Sequence, residues 1–92
     1  MDTRHLRPSN IKIGRIIDTD RQSRSFTTMT DSDPSTIIRF NVPEDAKIFG
    51  LCGCPIHFSE LHPGLRVRVR HASFMTMSIP PQTTAFVIQV IR

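Results

Sequence analysis

Leu65-Arg66-Val67-Arg68-Val69-Arg70 alternates apolar and basic residues without a break, and nowhere does the chain offer a sustained helical period to set against it. A period of two puts Leu65, Val67 and Val69 on one face of a strand and Arg66, Arg68 and Arg70 on the other. Short β-favouring runs bounded by turn residues recur on both sides of this segment. Ile11 to Asp18 places Ile11, Ile13 and Ile17 on one face, and Gly14 marks a bend or a close approach of backbone. Arg24 to Thr30 and Thr36 to Val42 flank Asp31-Ser32-Asp33-Pro34-Ser35, a cluster of turn residues, and read as a hairpin. Pro43 has no amide hydrogen for a sheet ladder, so the strand stops there and a short segment, Lys47 to Phe49, follows. Ser59 offers an N-cap for at most one helical turn before the Pro63-Gly64 turn. In the run Leu65 to Phe74 strict alternation would put Phe74 among the arginines, so a bulge near His71 is expected to reset the phase. Ala85 to Ile91 is a near-continuous apolar run of the kind a closed barrel buries.

The pattern is all-β, and 92 residues make one domain. Residues 1–10 are polar and without period, so a flexible N-terminal arm is expected there, with a single β-barrel domain over 11–92. Five or six strands leave too many open edges in a two-sheet sandwich, which favours a small, closed or nearly closed, OB-like barrel with at most one short helical turn. With no Trp, no Tyr and six Phe, the core must be built from Ile, Val, Leu and Phe. Burial is the plainer assignment for Phe26, Phe40 and Phe86.

The order Gly-x-Ile-Ile-Asp from Gly14, Ile-x-Phe-Asn-Val from Ile38, Phe58-Ser-Glu-Leu-x-Pro-Gly-x-Arg-Val-Arg-Val and Ser78-Ile-Pro-Pro-Gln-Thr resembles a group of short uncharacterised bacterial proteins related to small OB-like β-barrel domains of unknown function. The likeness spans Ile11 to Ile91. It implies the fold and carries no catalytic residues with it, and the Cys52-Gly53-Cys54 segment is particular to this sequence.

Chemistry is sparse. Asp18, Asp20, Asp31, Asp33, Glu44, Asp45 and Glu60 all fall in turn-like positions where carboxylates bond to local backbone, so no opposed pair for acid–base work is expected. The phosphate-binding glycine motifs are absent, and no enzyme and no cofactor are expected. Cys52, Cys54, His57 and His62 put four soft ligands within eleven residues, as zinc would require. The Cys-x-Cys spacing is tighter than a zinc knuckle, however, and a surface loop without metal is the preferred reading.

Two surfaces remain as binding candidates. Lys and Arg number 12 against 8 Asp and Glu, a formal charge of +4 that also serves solubility alone. Arg66, Arg68 and Arg70, joined by Lys12 or Arg39 from neighbouring strands, would suit the phosphate backbone of a single-stranded nucleic acid, although charges along a strand equally guard against edge pairing. The second candidate is Met75-Thr-Met-Ser-Ile-Pro-Pro-Gln82. It is longer than an ordinary hairpin turn and is stiffened by Pro80 and Pro81. Met75, Met77 and Ile79 alternate with polar residues. The preferred reading lays them against the barrel as a plug, and the other offers them to a protein partner or a second subunit. No apolar run is long enough to span a membrane and the first residues hold no apolar leader core, so the cytoplasm is the expected compartment. The reading that results is a small binding or interaction module, with nucleic-acid binding as the alternative.

Overall fold

The computed structural model describes residues 9–92, and the arm expected at 1–10 lies outside those residues except for its last two, which already belong to a strand. Six strands follow in chain order: β1 (Ser9–Asp20), β2 (Ser25–Thr30), β3 (Asp33–Asn41), β4 (Lys47–Phe49), β5 (Arg66–Ala72) and β6 (Gln82–Ile91). Phe58–Glu60 forms one 3-10 turn between β4 and β5. Antiparallel pairings join β3 to β2, β2 to β1, β1 to β5 and β5 to β6, and a parallel pairing of β3 with β6 closes these five strands into a ring. β4 stands outside the ring, parallel to the far half of β6. The fold is an all-β small barrel.

Local chemistry accounts for the turns. Asp31 and Ser32 both take positive φ, 52° and 56°, and join β2 to β3 as a two-residue loop whose twist matches that of the strands. Asp20 Oδ1 accepts from Gln22 N and Ser23 N, which pins the β1–β2 turn. Asp33 likewise accepts from Ser35, but it and Asp18 lie within strands and not in turns. His57, not Ser59, occupies the N-cap position of the 3-10 turn, where the Glu60 carboxylate accepts from the His57 backbone N at 3.0 Å.

The core is built around Ile16, Phe26, Ile38, Phe40, Val67, Val69, Ala85, Ile88 and Val90. Phe26 and Phe40 stack with centroids 5.3 Å apart, and the buried His71 ring lies 5.4 Å from Phe40. The Leu65-Val67-Val69 face points inward as expected. The Ile11-Ile13-Ile17 face does not: these side chains are exposed, and Gly14 and Ile16 fill the inner side of β1. Gly14 does mark a close approach, since a Cβ there would stand 3.2 Å from Thr28 Cβ and 3.3 Å from the Met29 carbonyl oxygen.

The expected bulge is present at His71, but the extra residue lies on the partner strand. Arg70 pairs with Val87 and His71 with Ala85, leaving Phe86 unmatched. Phe86 is therefore turned out and 36% exposed, against its expected burial, while Ala85 and Ile88 on either side stay inside. Phe74 lies beyond the end of β5 and is 64% exposed.

Candidate functional site

The β5–β6 connection, residues 73–81, folds on itself. Thr76 N donates to Gln82 O at 2.8 Å and Gln82 N donates back to Thr76 Oγ1 at 3.0 Å. Thr76 Oγ1 and Ser78 Oγ lie 2.6 Å apart, and Ser78 Oγ donates to Pro80 O at 2.9 Å. With the polar groups spent on one another, the apolar side chains have no inward partner. Met77 is 98% and Ile79 99% exposed, and Met75 is more than a third exposed. Pro80, Pro81 and Gln82 are half-buried at the root, where Pro81 O accepts from Arg39 N and Asn41 Nδ2 donates to Gln82 Oε1. The expected plug, with at least one buried methionine, is thus overturned. The side chains that complete the core come from the β4–β5 connection, where Phe58 and Leu61 are buried within it. Arg24 stacks on the outer side of Phe58, its guanidinium carbon 5.3 Å from the ring centroid.

The arginine stripe lies on an outer face made by three strands. Register sets Ile11, Arg70 and Val87 in one row, Ile13, Arg68 and Gln89 in the next, and Arg15, Arg66 and Ile91 in the third. Arg15 is the cation that sequence reasoning missed, because its place beside Arg66 depends on a pairing between strands fifty residues apart. Like charges directly opposite repel. Here they are drawn apart, since Arg15 Nη1 donates to Gly64 O at 2.7 Å and Arg66 Nη1 to Arg92 O at 2.9 Å. The expected contributors do not join them. Lys12 pairs with Val69 on the opposite face of the sheet, and Arg39 is half-buried on β3 with its Nε out of solvent and without a partner among the described residues. Two shallow clefts flank the stripe, one of about 450 Å³ beside Ile13, Arg15, Met29 and Arg66, the other of about 150 Å³ among Ile11, Arg68, Arg70, Val87 and Gln89.

The Cys-x-Cys segment is the tip of a small hairpin. Gly50 N donates to Cys54 O and Ile56 N to Ile48 O, with Phe49 bridged to Pro55. Gly53 takes φ +83° at the turn, and the two exposed sulfurs are 2.6 Å apart. His57 and His62 are exposed and do not complete a ligand set. Among the described residues no three of His, Cys, Asp and Glu come together to hold a metal. The four-ligand arrangement is not formed.

Comparison with protein families and with curated proteins finds no match. Among solved structures the chain is similar to CusF from Escherichia coli, determined in a variant form with Cu(II), with a TM-score of 0.63 and 16% identity over 92% of this chain and 94% of that one. At that identity the likeness speaks for the small β-barrel alone. No helix among the described residues is long and apolar enough to cross a membrane.

Proposed function

We propose that this chain is a small OB-like binding module, not an enzyme, and that it docks a partner protein by seating the 73–81 loop in an apolar cleft of that partner. The full exposure of Met77 and Ile79 on a loop closed by its own hydrogen bonds carries the reading. Burying each such side chain releases about 1.5–3 kcal/mol, and methionine adapts to irregular clefts. The ring order β1-β2-β3-β6-β5 supports the OB-like reading, and in OB barrels the connection between the fourth and fifth ring strands contacts ligands, oligonucleotides and oligosaccharides among them. The copper named with the CusF structure belongs to that protein and is not carried over to this chain.

The test is the double substitution Met77→Ser with Ile79→Ser. Its thermal melt should match that of the unsubstituted protein, while a partner retained from cell extract by the immobilised protein should be lost. Retention that survives the double substitution rejects the loop. Concentration-dependent sedimentation abolished by the same change would identify a second copy of the chain as the partner.

A second reading rests on the outer face, where Arg15, Arg66, Arg68 and Arg70 lie in successive rows and the exposed Phe86 follows the Arg70–Val87 row on β6, a combination of charge and aromatic surface of the kind single-stranded nucleic acid uses. It requires affinity for oligonucleotides that falls steeply with salt and disappears in the Arg66, Arg68, Arg70 triple alanine variant.

A further inference from the structure

Cys52 and Cys54 belong to neither binding surface described above and lie at the tip of the β4 hairpin. Their sulfurs are 2.6 Å apart, both side chains are exposed, and the tip is held on both sides by backbone hydrogen bonds. Gln89 Nε2 donates to Gly50 O at 2.7 Å and ties the hairpin base to β6. The pair is too close for a metal to sit between the sulfurs. Two thiolates at about 2.3 Å from a tetrahedral ion stand roughly 3.7 Å apart, and no third donor joins them among the described residues. Direct bonding of sulfur to sulfur asks only for a small closure.

We infer that Cys52-Gly53-Cys54 is a thiol–disulfide exchange site that passes two electrons, stoichiometrically, to low-molecular-weight disulfides. The Cys52 thiolate attacks one sulfur of the small disulfide, whose S–S bond breaks, and the other half leaves as a thiolate that takes a proton from water. Cys54 then yields its proton to solvent and attacks the Cys52 sulfur. The mixed disulfide breaks, the second half leaves and is protonated, and Cys52–Cys54 is the new bond. Two thiols of the protein become one disulfide, and one small disulfide becomes two thiols.

The order of attack follows from the pair's own hydrogen bonding. The Cys54 thiol, and the backbone amide of Cys54 after it, hold Cys52 below the ordinary thiol value of 9.0, whereas Cys52 pushes Cys54 above it. Cys52 is then the larger source of thiolate at neutral pH, and thiolate is the attacking species. Exposure of the bridge and its tight ring across a single glycine make it readily reducible, a property of exchanging rather than structural disulfides.

Incubation of the full chain with oxidised glutathione, quenched in acid and read by intact mass, tests this. The unsubstituted protein should become a monomer lighter by two hydrogens, with no lasting adduct, and should return on addition of reduced glutathione. Cys54→Ser should stop at one glutathione on Cys52, whose thiolate keeps the backbone amide of residue 54 as a donor, and Cys52→Ser, in which Cys54 loses the group that raises it but has no such donor, should react about threefold more slowly at Cys54. Both positions are exposed, so melts of the two variants should match the parent and keep the comparison interpretable. A disulfide-linked dimer, stable adducts on both cysteines of the unsubstituted chain, or equal rates for the two variants would overturn the assignment. None of these outcomes bears on the 73–81 loop.

Discussion

Val67 and Arg68 are neighbours in sequence and opposites in environment, the first fully buried and the second exposed. Deleting two methyl groups from a site with no room to collapse removes transfer energy and leaves a cavity, so Val67→Ala should cost about 2 kcal/mol. Arg68→Ala removes a solvated side chain and should stay within about 0.5 kcal/mol. Urea melts of the two variants check this, and equal losses would reverse the assigned faces. That contrast was legible in the sequence because alternation of valine with arginine names the inner face unambiguously. The isoleucines of β1 carried no such label. Ile11, Ile13 and Ile17 share a face, but hydrophobicity alone does not say that Gly14 and Ile16 face the core instead. Gly14 faces inward because β2 passes so close that a Cβ would press on Thr28 and the Met29 carbonyl. Only the approach of β2 decides it.

Connections show the same division at the scale of an element. The length and stiffness of the 73–81 segment were readable from Pro80, Pro81 and the absence of a period. Its orientation was not, because alternation groups Met75, Met77 and Ile79 without saying which way they point. The reciprocal bonds of Thr76 with Gln82, and the bond of Ser78 Oγ to Pro80 O, close the loop on itself and leave Met77 and Ile79 exposed. Met77→Ser should therefore leave the melting temperature unchanged, whereas Thr76→Val should speed amide exchange at Gln82, whose N–H loses its acceptor. Hydrogen exchange on both variants tests the pair, and a melting temperature lowered by Met77→Ser would restore the plug. The core position expected of that loop belongs to Phe58 and Leu61, a placement that a 3-10 turn too short for a helical period does not announce. Phe86 follows a similar logic: its exposure comes from a bulge, and a bulge is a mismatch between two strands rather than a property of either.

Across the whole molecule the ring of five strands and the outlying β4 differ in support. Each ring strand is paired on both sides, whereas β4 is three residues long and, within the sheet, pairs only with β6. Native-state hydrogen exchange should show the β5 and β6 amides opening only with global unfolding, and the amide of Lys47 or Phe49 opening at lower free energy. Protection of β4 equal to that of the ring would mean that the hairpin folds as part of the barrel. The sequence by itself determined the strand content, most turns and the inner face of β5, because each depends on side chains within a few residues of one another. Tertiary structure alone decided which residues share a surface. The parallel closure of β3 on β6, the row that sets Arg15 beside Arg66 and the withdrawal of Lys12 and Arg39 from the basic face all follow from pairings between distant segments. Register between such segments is fixed by the packing of the closed barrel, and no local pattern encodes it.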